Sequence, residues 1–213
     1  MTKPAYWNKA KTHLMRVCPA MRTIIPRYGN AALTRRHESG FITLVRAVVG
    51  QQISVKAADS MWAKLEKAVD PLTPENLLRK RETTLRKCGL SGQKVAYARN
   101  VAKFFIEHPF ALRDWEAYSD DEIIAMLTGI KGIGRWTAEM FLMFHLHRPD
   151  VFPVQDIGIL KAMHVNCSDI PLLINGKYHK KSLYEQSAKL WMPYRTVACW
   201  YLWRSLDPIP VEY

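Results

Sequence analysis

Cysteine is scarce in this chain of 213 residues, and no two of its four cysteines form a C-x-x-C pair. They stand far apart, at Cys18, Cys88, Cys167 and Cys199. Zinc sites and four-cysteine iron–sulfur clusters need ligands at short, regular spacings. The sequence therefore predicts no zinc site and no iron–sulfur cluster, and we expect reduced, mostly buried thiols.

Long apolar runs are also missing. No stretch approaches the roughly 20 apolar residues that a membrane-spanning helix needs. The basic segment 1–16 lacks the apolar core of a secretion signal. We therefore expect a cytoplasmic protein with no membrane partner.

Acidic residues are few relative to basic ones. The chain has 31 Lys and Arg against 19 Asp and Glu, which gives a formal charge of +12 and a pI near 9.6. Residues 1–60 alone hold ten basic side chains and two acidic ones. This excess favours a polyanionic partner such as nucleic acid, although a basic surface that only keeps the protein soluble would look the same.

Apolar periodicity at helical spacing, broken by proline and glycine, predicts a helical protein. The predicted helices cover 4–16, 40–49, 54–69, 74–80, 93–107, 120–127, 134–146, 156–164, 179–190 and 195–206. Ser119 can cap the helix predicted from residue 120. Strand signals are few, and Asn175-Gly176 marks a turn. We expect an all-α fold whose helices form two lobes with one cleft between them.

Three closely spaced glycines, Gly129, Gly132 and Gly134, join two of the predicted helices. Glycine permits positive φ and lets backbone N–H groups approach a ligand closely. The spacing matches a P-loop, but Arg135 and Trp136 stand where that motif needs Lys and Ser/Thr, and a helix precedes it instead of a strand. The residues are consistent either with an ordinary turn or with a hairpin that binds a phosphodiester.

The residues around this hairpin resemble those of a known family. Residues 127–138 (LTGIKGIGRWTA) and 151–156 (VFPVQD) resemble the helix-hairpin-helix base-excision DNA glycosylases, within them the 3-methyladenine DNA glycosylase II branch. Residues 49–54 (VGQQIS) resemble the loop that enters the minor groove. Residues 191–195 (WMPYR) with Trp203 resemble the C-terminal helix that closes the base pocket.

The resemblance covers about residues 35–206 and implies a two-lobed helical core with a central cleft and no N-terminal β domain. We expect one lobe at about 35–115 and a second from 1–30 plus 116–213. The second lobe would contain the hairpin, 127–136. We also expect a monomer that binds double-stranded DNA containing damaged bases.

Asp156 is the catalytic carboxylate that the resemblance implies. Cleavage of an N-glycosidic bond builds positive charge on the sugar, so a carboxylate can stabilise the transition state and orient the attacking water. An Asp at this position is also a good N-cap for the helix that follows. The two roles are compatible because capping would hold the carboxylate in place.

The reaction type depends on Trp136. In bifunctional members of the family this position holds the lysine that forms a Schiff base, so Trp136 implies hydrolysis without strand cleavage. Lys131 is an amine nearby, but it occupies the turn of the hairpin. The base pocket implied by the resemblance consists of Trp136, Met140, Tyr194 and Trp203. The rings of its three aromatic residues would stack on a flipped, alkylated purine.

Three further groups of residues follow from the resemblance. The wedge that fills the vacated base stack lies within Gln51, Gln52 and Ile53, at Gln52 by position. The residues expected to bind DNA phosphates are Gly129, Lys131, Gly132, Gly134, Arg135 and Thr137. The main-chain carbonyls of Thr128, Ile130 and Ile133 would hold Na⁺ or K⁺, and no other cofactor is required.

The sequence thus predicts a monofunctional DNA glycosylase that releases alkylated purines such as 3-methyladenine and 7-methylguanine. A glycosylase for uracil, hypoxanthine or mismatched bases is the alternative within the class. A helix-hairpin-helix module that binds DNA without catalysis is the alternative outside it.

Overall fold

The computed structural model describes residues 3–34, 39–109, 114–167, 173–174, 177–178 and 181–206. Helices dominate, as predicted. The α-helices are α1 (Trp7–Val17), α2 (Pro19–Ile24), α3 (Gly40–Gly50), α4 (Val55–Ala68), α5 (Pro74–Arg79), α6 (Glu82–Lys87), α7 (Gly92–Glu107), α8 (Asp120–Thr128), α9 (Arg135–Met140), α10 (Ile157–Asn166), α11 (Lys181–Ala188) and α12 (Arg195–Leu206).

Two short strands, β1 (Leu173–Ile174) and β2 (Lys177–Tyr178), pair antiparallel. The predicted Asn175-Gly176 turn falls between them and lies outside the described residues. None of the helices in the described ranges combines the length and the apolar character of a membrane-spanning segment.

The chain forms two units. The first contains the described residues of 3–34 and 142–206. Helix α12 is its centre and packs against α1, α2 and α10. Trp7 of α1 is buried, and its ring meets Trp200 edge-on and lies tilted against Tyr201, both from α12.

The second unit contains the described residues of 39–141. Helix α7 is its centre and packs against α3, α5 and α6. Phe105 of α7 meets the rings of Phe41 and Trp115, and Trp115 meets Phe141. This aromatic core fixes the position of α7, on which the hairpin rests.

The division differs from the expected one. We expected the hairpin and the rest of residues 116–141 in the same lobe as the C-terminal helices, but the structure groups them with 39–115. The physical reason is local. The side chains of Tyr97 and Asn100 on α7 contact the hairpin directly, and α8 packs against α9.

In the second unit, five of the seven described α-helices begin at a hydroxyl that accepts a backbone N–H, as Ser and Thr at an N-cap do. The caps with this bond in the second unit are Ser39, Ser54, Thr73, Ser91 and Ser119. The predicted cap at Ser119 is confirmed as part of a capping box with Glu122. Hydrogen bonds from Ser119 lower the pKa of Glu122.

Two helices were not predicted, and one predicted helix changes form. Helix α2 starts with a proline and has six residues, and α6 buries only Leu85, so neither shows a long apolar stripe. The helix expected over 134–146 is α-helical to Met140 and then widens into a π-helix over Phe141–His145. Short π-helical segments often occur near functional sites.

Candidate active site and DNA-binding hairpin

Asp156 is the N-cap of α10, as predicted. Its Oδ1 accepts the backbone N–H of Ile159 at 2.8 Å. The side chain is half-buried. Helix α10 therefore fixes one oxygen of the carboxylate. Such fixed placement is typical of a group that stabilises charge in a transition state.

The same oxygen has a second donor. The indole N–H of Trp203, from α12, donates to Oδ1 of Asp156 at 3.1 Å. The ring of Trp203 stacks on Phe144 of the π-helical segment, with centroids 5.9 Å apart and planes 27° from parallel. The sequence placed Trp203 in the base pocket and missed both its hydrogen bond and Phe144. Neither follows from spacing, because they join residues more than 40 positions apart.

Gly158 lies beside this pair. A Cβ built on Gly158 would lie 3.0 Å from Oδ1 of Asp156 and 3.4 Å from Cδ1 and Nε1 of Trp203. The first distance is shorter than side-chain carbons normally adopt. The missing side chain thus leaves the space that the hydrogen-bonded pair occupies.

An ion pair holds the chain segment that leads to Asp156. Arg195, at the start of α12, donates through Nε to Oδ1 of Asp150 at 2.8 Å and through a terminal nitrogen to Oδ2 at 2.9 Å. The backbone N–H of Arg195 also donates to Oδ1. The hydroxyl of Thr196 accepts the N–H of Val151 at 3.0 Å. The first residues of α12 therefore anchor the segment after Pro149.

Tyr194 lies against α1. Its ring stacks on Tyr6, with centroids 6.2 Å apart, and meets His13 edge-on at 5.5 Å. Tyr194 is thus part of an aromatic group within the first unit.

In the second unit, the three hairpin glycines adopt three different conformations. Gly132 has φ +111°, which only glycine adopts readily, whereas Gly129 is helical and Gly134 is extended. Of these three glycines, Gly132 alone uses the positive φ that glycine permits. Gly134 is the N-cap of α9, and a Cβ there would meet nothing within 4 Å.

Side chains from helix α7 and from the end of α3 donate hydrogen bonds to the hairpin. The side-chain amide of Asn100 donates to the carbonyl of Lys131 at 3.0 Å. The amide of Gln51 donates to the carbonyl of Gly132, also at 3.0 Å. The ammonium of Lys94 donates to the carbonyl of Val49 at 2.7 Å, and its partial burial lowers the pKa of this lysine. Side chains thus tie the hairpin and the Gln51 loop together.

The residues predicted to bind phosphates differ in their exposure to solvent. Lys131, Gly134 and Arg135 are exposed, whereas Thr137 is buried, which does not favour a contact between its hydroxyl and DNA. Arg135 also pairs with the buried carboxylate of Glu139 at 3.0 Å. The sequence did not single out Glu139, which is an ordinary i, i+4 partner on α9.

Two of the predicted pocket residues lie on α9. Trp136 is partly exposed and Met140, one turn later, is buried. Both belong to the second unit, and Asp156, Tyr194 and Trp203 belong to the first.

The predicted wedge residues differ in exposure and in backbone conformation. The side chain of Gln51 is half-buried and bonded to the hairpin, whereas Gln52 is exposed and has φ +57°. A left-handed conformation is uncommon for a residue other than glycine and marks a sharp turn. Ile53 is half-buried and precedes the cap of α4.

One of the carbonyls predicted to hold a monovalent cation already has a partner. The Ile130 carbonyl accepts the N–H of Ile133 at 2.9 Å within the hairpin, and a carbonyl oxygen with two lone pairs can still bind a cation.

The four cysteines are free thiols. Cys167 hydrogen-bonds Cys18, and this bond, with others, lowers the pKa of Cys18 to about 6.

Comparison with known proteins identifies the family of the chain. The family model of the HhH-GPD superfamily of base excision DNA repair proteins matches residues 45–191. DNA-3-methyladenine glycosylase 1 of Schizosaccharomyces pombe is 31% identical over 204 residues, which cover 93% of this chain and 87% of the relative. The chain belongs to the HhH-GPD superfamily.

Solved structures give the same result. The 3-methyladenine DNA glycosylase of Schizosaccharomyces pombe in complex with abasic DNA matches with a TM-score of 0.79 and 29% identity, covering 96% of this chain and 98% of that one. DNA-3-methyladenine glycosidase of Bacillus halodurans matches with a TM-score of 0.77 and 34% identity, covering 93% and 89%. The predicted family and the all-α fold are confirmed.

Proposed function

We propose that this protein is a monofunctional DNA glycosylase that flips alkylated purines, such as 3-methyladenine and 7-methylguanine, out of duplex DNA and hydrolyses their glycosidic bond. The observation that carries the proposal is the Asp156 carboxylate, held by donors from two helices in a chain of this superfamily. The names of the similar glycosylases support the substrate class.

Asp156 supplies the chemistry. As the bond between base and sugar lengthens, positive charge builds on the sugar, and a fixed carboxylate stabilises it without reorganising. The same group orients or deprotonates the attacking water. The products are a free base and an abasic site.

The proposed substrates do not require a dedicated general acid. An alkylated purine is already cationic and leaves without prior protonation. Stacking of a base on an aromatic ring contributes about 1–3 kcal/mol, and a positive base adds a cation–π term. The proposal assigns these contacts to the indoles of Trp136 and Trp203, with Met140 and Tyr194 as further residues of the pocket.

The hairpin binds the DNA backbone through its exposed basic side chains, Lys131 and Arg135, and through backbone N–H groups near Gly134. The main-chain carbonyls of Thr128, Ile130 and Ile133 would hold a Na⁺ or K⁺ ion, and no chemical step depends on it. Gln52 is the wedge, because Gln51 is occupied by the hairpin. The predicted cytoplasmic location and monomeric state remain predictions.

The test is direct. The protein is incubated with duplexes that contain 7-methylguanine, 3-methyladenine, hypoxanthine or uracil, and the released bases are quantified by chromatography. Release of the methylated purines is expected. Release of uracil or hypoxanthine alone would support the alternative glycosylase, and DNA binding without release of any base would support the non-catalytic module.

Borohydride tests the monofunctional assignment. Trp136 offers no amine, so borohydride added during the reaction should trap no covalent adduct between protein and DNA. Efficient trapping would show that another residue, with Lys131 the first to examine, forms a Schiff base.

A further inference from the structure

We infer that Trp203 is a positioning residue for the catalytic carboxylate: its indole N–H fixes Asp156, and Gly158 keeps the space in which this bond forms. The inference rests on the proposed function. It adds a second role for Trp203, distinct from stacking on the flipped base.

Two hydrogen bonds hold one oxygen of the Asp156 carboxylate. Oδ1 of Asp156 receives the Ile159 N–H at 2.8 Å and the Trp203 N–H at 3.1 Å. The first bond comes from the helix that Asp156 caps, so by itself it leaves the carboxyl group some freedom to turn. The second comes from α12, a separate helix, and removes that freedom. The position of the whole carboxylate is then set by the packing of α10 on α12.

The donor is itself held in place. Phe144 stacks on Trp203, and α12 is anchored at its start by the bidentate pair of Arg195 and Asp150. A bidentate guanidinium–carboxylate pair has a defined geometry. The indole N–H therefore reaches Asp156 from a rigid support.

Gly158 supplies an independent observation. It occupies the first turn of α10, where glycine is less favourable than alanine by up to about 1 kcal/mol. Its hydrogen atoms face the bond, since a Cβ would lie 3.0 Å from Oδ1 of Asp156 and 3.4 Å from Nε1 of Trp203. Glycine at this position costs some helix stability, and the space that it leaves for the Asp156–Trp203 hydrogen bond accounts for its presence.

The two roles of Trp203 can be separated chemically. Site-specific replacement of Trp203 by 3-benzothienylalanine keeps the size and the aromatic face of the ring but exchanges the N–H for sulfur. Stacking is preserved, and only the donor is lost. Trp203→Phe is the companion variant made from natural amino acids.

Two quantities are measured for each protein. One is the rate of 7-methylguanine release at saturating enzyme, and the other is the affinity for a duplex whose 7-methylguanosine carries a 2′-fluorine that resists hydrolysis. The benzothienyl protein should release the base about tenfold more slowly or worse and bind the fluorinated duplex within about twofold of wild type. An unchanged rate, or a loss of affinity that accounts for the whole effect, would overturn the inference.

Gly158→Ala separates positioning from folding. The gain in helix propensity offsets part of the cost of a disturbed cap, so the melting temperature should change little. The release rate should drop because the methyl group displaces the carboxylate or the indole. An unchanged rate would contradict the role given to Gly158. If wild type releases no base from any duplex, the proposed function itself fails, which is a different outcome.

Discussion

Gly132 lies directly on the ring of Tyr97: a Cβ built at Gly132 would be 2.3 Å from Cγ of Tyr97. Gly132 also has φ +111°. Any side chain here meets both a steric clash and an unfavourable backbone conformation, so the hairpin needs glycine at this position for two separate reasons.

The substitution Gly132→Ala should therefore lower the free energy of unfolding by about 2–4 kcal/mol, as strained backbone and overpacking together do. Denaturant unfolding measures the change. The matched control is Gly134→Ala, where a Cβ meets nothing within 4 Å and a change within about 0.5 kcal/mol is expected. Adding Tyr97→Ala to Gly132→Ala should make the alanine at 132 less costly, and a penalty that does not shrink would exclude the clash.

Gln51 and Gln52 should respond differently to the same change. Gln51→Met removes the donor to the Gly132 carbonyl and should lower the free energy of unfolding by about 1 kcal/mol. Gln52→Met, at an exposed position, should change it by less than about 0.5 kcal/mol.

Base extrusion gives the complementary measurement for this pair. A fluorescent base analogue placed beside the lesion reports extrusion, and Gln52→Met should alter that signal through the wedge. If Gln51→Met leaves stability unchanged and Gln52→Met leaves extrusion unchanged, the assignment of the two glutamines is wrong.

The pair formed by Arg195 and Asp150 should stabilise the first unit. Asp150→Asn weakens three hydrogen bonds from Arg195, and hydrogen bonds to charged groups contribute about 1.5–3 kcal/mol each when partly buried. We expect a clear loss of stability and slower base release, because the segment before Asp156 loses its anchor. Asp59→Asn is the control, since Asp59 is exposed and lies 3.8 Å from Arg46. Equal effects of the two substitutions would contradict the anchoring role.

The capping box at α8 predicts a pH dependence. The pKa of Glu122 is lowered from 4.5 in the folded protein by its bonds from Ser119. A lowered pKa means that the carboxylate stabilises the fold above pH 4.5, and that this stability is lost as the pH falls through the lowered value. Ser119→Ala should therefore destabilise the protein more at neutral pH than at low pH.

Ser91 provides the control for this experiment. It caps α7 by accepting the N–H of Lys94, and no carboxylate takes part in the bond. Ser91→Ala should destabilise the protein to a similar extent at both pH values. A penalty for Ser119→Ala that is also independent of pH would show that Glu122 does not contribute.

The sequence predicted local features well and long-range ones less well. The cap at Ser119, the cap at Asp156 and most helix positions depend on neighbours within four residues, and they are confirmed. The bond between Trp203 and Asp156 joins two helices 47 positions apart, and no periodicity encodes it. The grouping of the hairpin with the second unit depends on its contacts with Tyr97 and Asn100. In the sequence, both look like ordinary surface residues of a helix.

The most direct test of the account compares Asp156→Asn with wild type in the rate of 7-methylguanine release at saturating enzyme. The asparagine can still accept the N–H groups of Ile159 and Trp203, so the fold and the helix cap should survive while the negative charge is lost. The account predicts a rate lowered by about 10²–10³, with undiminished affinity for the fluorinated duplex. Release by Asp156→Asn at the wild-type rate would contradict it.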